Sequence, residues 1–232
     1  MSIIISMITD KCGITASDGR VTSSAVFQNG QVITKAVPIN ENFEKTFSLD
    51  NGKLIGTWAG IMTFAGKTIP EHLAEIFSID CPQLPNLENT LSCLISTLKD
   101  RFRNNTEILF EFRKIDLIIV ATDTGRIQDL RTYTFRLKPN DNNDQIIIEH
   151  EIIPNEKKQP NIVYWKIFGD DSSRPFVDEF LRESIEKSPN VHVDTLVSIA
   201  YKAIRLGIKY SGKHSYGDDK TCGGKPFVRE IK

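Results

Sequence analysis

The stretch from Ser2 to Val21, SIIISMITDKCGITASDGRV, decides the fold. Residues 2–9 are an isoleucine-rich strand, CGITASD is a second strand, and Thr9-Asp10-Lys11 supplies the tight turn between them. The chain therefore opens on a β-hairpin. One small hydroxyl residue stands immediately before the apolar run, and Asp18-Gly19-Arg20 follows sixteen positions later.

Working outward, FQNGQVITK carries Asn29-Gly30 between apolar residues, the signature of a second hairpin, which reads as an inserted β-ribbon or a long loop. EKTFSLDNGKLIGTWAG holds two alternating segments joined at Asn51-Gly52, and helical spacing is expected from Ile61 directly after the second segment. Pro70 marks a break in or near that helix. Leu87, Leu91, Leu94, Ile95 and Leu98 then keep helical periodicity.

KIDLIIVATDTGRIQDLRTYTF reads as strand, a turn at Thr124-Gly125, and strand. A polar spacer, KPNDNNDQ, precedes the strands IIIEHEII and NIVYWKIFG. Helices are expected over Pro175 to Lys187 and His192 to Lys209, before a last strand, PFVREI. Such segregated runs of strands and helices predict an α+β fold, a four-layer αββα sandwich in which residues 1–232 make one domain.

Composition removes several classes of function. Lys plus Arg total 29 against 30 Asp plus Glu, so no basic surface calls for nucleic acid. No apolar stretch approaches membrane-spanning length, and Ile3 to Ile5 is too short for a signal-peptide core. These features predict a cytoplasmic protein with no membrane partner. Cys12, Cys81, Cys93 and Cys222 are widely spaced, which argues against a zinc site or a disulfide framework and for reduced thiols. His72, His150, His192 and His214 lack metal-ligand spacing, so neither a metal nor a cofactor is expected.

Ser2, Asp18-Gly19-Arg20, Lys45 in FEKTF, Gly60 at the end of GTWAG and the closing DDKTCGG together resemble the β-type subunits of the proteasome and the peptidase subunit of the HslUV protease. Those are N-terminal-nucleophile hydrolases. The resemblance is sharpest over residues 2–70. It implies that removal of Met1 exposes Ser2, whose hydroxyl is the nucleophile and whose α-amine, with an ordinary pKa of about 7.7–8.0, is the base.

By the same resemblance Lys45 orients the hydroxyl and lowers the amine's pKa, Asp18 fixes the lysine, and Arg20 supports the ion pairs. Gly60 offers its backbone N–H to the oxyanion. Trp58 and Val21 line the substrate pocket, so bulky residues at the cleaved position are disfavoured. Asp219 and Cys222 support the terminal amine in the manner of an Asp-x-x-Ser-Gly-Gly motif, with a thiol replacing the hydroxyl.

Two departures from the family pattern stand out. Asp170 follows Gly169 where Gly-Ser-Gly is usual, which opens the alternatives that Asp170 binds the ammonium or that Ser172 serves instead. About eleven extra residues separate Arg20 from Lys45, which leaves Lys35 as a competitor for the lysine role.

The expectation is a threonine-type peptidase or amidohydrolase acting on peptides or proteins through an acyl-enzyme. The resemblance further implies a homo-oligomeric ring or stacked rings and an AAA+ ATPase unfoldase as partner. Two alternatives are a catalytically silent structural or assembly subunit, favoured if Met1 is retained, and a hydrolase of small amides.

Overall fold

The computed structural model describes residues 2–23, 26–28, 31–49, 53–60, 62–64, 66–80, 87–102, 114–122, 125–140, 142, 145–154, 158–188, 192–213 and 219–232. Strands β1 (Ile3–Ile8) and β2 (Gly13–Ser17) form the opening hairpin, with Ile8 opposite Gly13 and Ile4 opposite Ser17. Thr9 makes the turn. Its N–H donates to the Cys12 carbonyl at 2.9 Å, and its Oγ1 accepts from the N–H groups of Lys11 and Cys12 at 3.0 and 3.1 Å.

The chain continues through β3 (Val21–Thr22), β4 (Val26–Gln28), β5 (Gln31–Thr34), β6 (Pro38–Asn40), β7 (Thr46–Leu49), β8 (Leu54–Gly60), β9 (Thr63–Phe64) and β10 (Lys67–Thr68). Helices α1 (Ile69–Glu75) and α2 (Leu87–Phe102) follow, then β11 (Ile115–Ala121), β12 (Arg131–Pro139), β13 (Ile146–Ile153) and β14 (Tyr164–Gly169). Helices α3 (Arg174–Glu186) and α4 (Val193–Tyr210) precede the last strand, β15 (Phe227–Ile231).

The fold is mixed α/β with several antiparallel sheets. The larger two have strand orders β14-β1-β2-β15 and β13-β12-β11-β8-β7; three short ribbons, β3-β6, β4-β5 and β9-β10, complete the set among the described residues.

Why β1 is apolar at nearly every position follows from its two faces. Side chains alternate along a strand. Ile4 packs with Ala59 and Ile118, and Ile8 with Ile55 and Val120, all on the facing sheet. Ile3, Ile5 and Met7 point the other way, against Val177, Leu181, Leu196, Ala200 and Ile204 of α3 and α4. Full burial of each such side chain contributes about 1.5–3 kcal/mol. On the second sheet, Leu54, Trp58, Leu117 and Ile119 pack with Ile69 and Leu73 of α1 and Leu94 and Leu98 of α2.

Two expectations need correction. The helix does not begin at Ile61: the β9-β10 ribbon intervenes, and α1 starts at Ile69 behind a Thr68 cap. Thr68 and Glu71 form a capping box, with Pro70 in the first turn, where its missing N–H has no intrahelical role. Pro70 thus starts the helix. The second correction concerns the thiols: Cys93 is disulfide-bonded, whereas Cys12 and Cys222 are free and buried. Sequence spacing between cysteines is a poor guide because chain reversals bring distant residues together.

No helix among the described residues is long and apolar enough to cross a membrane.

Candidate functional site

The hairpin geometry makes the site. With Ile4 opposite Ser17, the residues flanking the pair, Ser2 and Asp18, emerge at one end. Asp18 N–H donates to the Ile3 carbonyl at 3.2 Å, and Ile3 N–H returns a bond to Asp18 Oδ1 at 3.1 Å. The carboxylate is thereby fastened to the first residue of β1.

Lys45 arrives from the facing sheet. It stands just before β7, opposite Trp58, whose N–H donates to the Lys45 carbonyl at 3.2 Å. Its Nζ donates to Ser2 Oγ at 2.6 Å, Asp18 Oδ1 at 3.1 Å and the Arg20 carbonyl at 2.6 Å. Three acceptors match the three protons of an ammonium. Asp18 is equally saturated, since Oδ2 accepts from Arg20 N–H at 3.3 Å and Gly223 N–H at 3.1 Å.

Both side chains of this ion pair are fully buried. A buried pair costs several kcal/mol per ion in desolvation, and it persists only where further hydrogen bonds satisfy both groups, as here. Lys35, by contrast, is exposed at the end of the β4-β5 ribbon, so the lysine beside Ser2 is Lys45.

Behind Ser2, the Asp170 N–H donates to the Ser2 carbonyl at 3.0 Å. The Asp170 carboxylate turns elsewhere: it accepts from Ser173 N–H at 2.9 Å, Gly212 N–H at 3.4 Å and the Thr221 hydroxyl. Asp170 therefore holds Ser2 through its backbone and the C-terminal loop through its side chain. Ser172 is exposed. Thr221 and Gly223, both inside the quoted DDKTCGG, touch Asp170 and Asp18; the sequence reading assigned neither a role.

Asp219 departs from expectation. It is exposed, whereas Asp170 is the buried carboxylate bonded to the C-terminal loop. The reason is the geometry of the loop, which turns inward only at Thr221. Cys222 is buried, and burial, followed by the nearby Asp18 charge, raises its pKa, so it stays a thiol. It packs in the apolar cluster under α3 and α4. His214 and Met1 lie outside the described residues.

Arg20 clamps the surroundings. Its guanidinium bonds Glu41 at 2.7 Å and the Lys220 carbonyl at 2.8 Å, joining both ends of the ribbon insertion to the C-terminal loop. Val21 begins β3 and is half-buried. Gly60 ends β8 with φ +108°, and a Cβ there would stand 1.9 Å from the Lys114 carbonyl oxygen. It leads into a ribbon rather than a helix. Trp58 is 2 % exposed and contacts Phe43 and Phe47, at ring-centroid distances of 6.1 and 6.0 Å.

Chemically, the arrangement is a hydroxyl within hydrogen-bond reach of a buried ammonium whose position a carboxylate sets, the relation expected of an activated nucleophile.

No protein-family model matches the chain, and no curated protein matches it. Among solved structures, the Anbu (Gly-1) mutant from Hyphomicrobium sp. strain MC1 is similar over 90 % of this chain and 75 % of its own, with 11 % identity and a TM-score of 0.48. A likeness of that degree says nothing about activity. These findings overturn the assignment to the proteasome β-type and HslUV peptidase family drawn from residues 2–70. Each motif behind it is short, and a turn, a cap and a strand end recur in unrelated chains.

Proposed function

We propose that the protein is an amide hydrolase that uses Ser2 as an N-terminal nucleophile, with peptides as substrates. The observation that carries this reading is the 2.6 Å contact between Lys45 Nζ and Ser2 Oγ, with Asp18 bonded to the same ammonium. Loss of Met1 frees the Ser2 amine. The amine takes the hydroxyl proton as Oγ attacks the substrate carbonyl, and Lys45 stabilises the developing alkoxide while favouring the neutral amine.

Gly60 supplies the oxyanion donor in this scheme. N–H groups two apart in a strand point to the same side. Trp58 N–H points to Lys45, so Gly60 N–H points past the start of β7, toward the end of the sheet where Lys45 meets Ser2. Collapse of the tetrahedral intermediate transfers the proton to the leaving amine and leaves an ester on Ser2. Water then attacks the ester, and the hydroxyl is restored.

The four-layer order αββα belongs to the same reading. It is supported by the packing of β1 between the facing sheet and α3 and α4, and by α1 and α2 against the far face of the second sheet.

Intact mass of the purified chain, before and after a peptide β-lactone, tests the proposal. Loss of Met1 and a single adduct, absent in Ser2→Ala, is the expected result. Retained Met1 without an adduct overturns it.

A further inference from the structure

Lys220 ties the C-terminal loop to the end of α4. That helix ends at Ser211 in extended backbone, φ −61° and ψ 140°, so no left-handed residue folds back over its last carbonyls. A helix leaves four such carbonyls without an intrahelical partner. Side chains take two of them. The Ser211 hydroxyl donates to the Ile208 carbonyl at 3.0 Å, and the Lys220 ammonium donates to the Lys209 carbonyl at 2.5 Å and the Ile208 carbonyl at 3.5 Å. A cation is also favoured there by the negative end of the helix dipole.

The placement answers a local conflict. Lys213 and Lys220 face each other across an antiparallel bridge, a pairing in which like charges repel. Turning one ammonium onto the helix end relieves that repulsion. It also fixes the loop beside Gly212, whose carbonyl accepts from Thr221 N–H at 2.9 Å.

The backbone of the anchored loop faces the site. The Lys220 carbonyl accepts from Arg20 Nη1 at 2.8 Å, on the side of the guanidinium away from Glu41. The Gly223 carbonyl accepts from Gly19 N–H at 3.1 Å, and Gly223 N–H donates to Asp18 Oδ2 at 3.1 Å. A Cβ on Gly223 would stand 2.3 Å from Arg20 Nε, so the guanidinium lies against the loop. Lys45 Nζ has three acceptors, and two of them, Asp18 Oδ1 and the Arg20 carbonyl, belong to residues that this loop holds. The third is Ser2 Oγ.

We propose that Lys220 is a positioning residue: its side chain pins the loop to α4, and through Arg20 and Asp18 the loop sets where the Lys45 ammonium meets Ser2 Oγ. Lys220 itself is exposed and touches neither Lys45 nor Ser2, so it acts only through the residues between. Its consequence for the chemistry rests on Ser2 being the nucleophile.

The test measures kinact and KI for a peptide β-lactone in the wild-type chain, Lys220→Met, Lys220→Arg and Lys209→Met. In Lys220→Met, kinact should fall about 3- to 10-fold, the size of one net hydrogen bond, with KI unchanged. Lys220→Arg, which keeps a cationic donor for the helix carbonyls, should restore it. Lys209→Met, which removes a charge from the same helix end without releasing the loop, should label like the wild type. An unchanged kinact in Lys220→Met, a loss that arginine does not restore, or an equal loss in Lys209→Met overturns the inference. Should Lys220→Met fail to fold, Lys220→Gln replaces it under the same criteria.

A second readout does not need the reaction. The Lys45 ammonium, fully buried with three acceptors, should give a slowly exchanging proton–nitrogen cross-peak, assigned by its loss in Lys45→Met. Its protons should exchange several-fold faster in Lys220→Met and at the wild-type rate in Lys220→Arg. Equal exchange in wild type and Lys220→Met overturns the inference. Faster exchange in a chain whose wild type never labels would fault the proposed chemistry and leave the positioning standing.

Discussion

Gly169 and Ser2 pack backbone to backbone: with Gly169 at φ +118°, a Cβ there would stand 1.7 Å from the Ser2 carbonyl oxygen. Ile3 and Gly169 are opposite one another on β1 and β14, and the next residue's N–H, that of Asp170, holds the Ser2 carbonyl at 3.0 Å. The position of Ser2 is therefore set by a close approach that only glycine permits.

Gly169→Ala should displace Ser2. A non-glycine residue in this conformation costs on the order of 1–3 kcal/mol even without the clash. The variant should fold with lower stability in denaturant titration and lose β-lactone labelling of Ser2 disproportionately. Wild-type labelling in the variant would show that Ser2 is located by other contacts.

Lys45→Met should leave Ser2 Oγ without its charged partner and bury Asp18 uncompensated. Labelling and peptide cleavage should fall by about 10²–10⁴-fold, the range for loss of a positioned proton-handling group. Stability should fall too, because an unpaired buried charge costs about 3–5 kcal/mol. Lys35→Met, at an exposed position, should change neither by a comparable amount.

The pH dependence of stability should carry a signature from Lys158. Its ammonium donates to the Thr9 carbonyl at 2.6 Å and the Ile127 carbonyl at 3.3 Å, and burial lowers its pKa to about 8 from 10.5. Between those two values the unfolded chain binds the proton and the folded chain does not, so this group makes stability rise with pH across the window of 8 to 10.5. Below it the penalty is constant. Urea titrations at stepped pH should show the rise, and Lys158→Met should flatten it.

Thr68→Ala removes one half of the capping box at the start of α1. A loss of about 1 kcal/mol is expected from the orphaned N–H groups, read as a lower denaturant midpoint with an unchanged slope. No change would show that α1 is held by Ile69 and Leu73 packing alone.

Local pattern was enough for much of the architecture. The hairpins at residues 2–18 and around Asn29-Gly30, the helix over Leu87–Phe102, and the last two helices follow from alternation, turn chemistry and helical spacing, which act over a few residues. The start of α1 was also legible, in Thr68-x-x-Glu71, but the apolar spacing after Gly60 masked it. The β9-β10 ribbon of two-residue strands is too short to leave a pattern.

The residues of the site divide in the same way. Sequence alone related Asp18 to Ser2 only through the spacing that the resemblance supplies; the register of the hairpin is what brings them to one end. The sequence preferred Lys45 to Lys35 with no contact to decide between them, and it gave roles to both Asp219 and Asp170 without showing which of them the fold buries. Those choices depend on how two sheets stack and where a loop turns inward, contacts between residues far apart in the chain that no short-range pattern encodes. Tertiary packing decided them: it buried the Lys45 ammonium against Asp18 and tied Asp170 to Thr221.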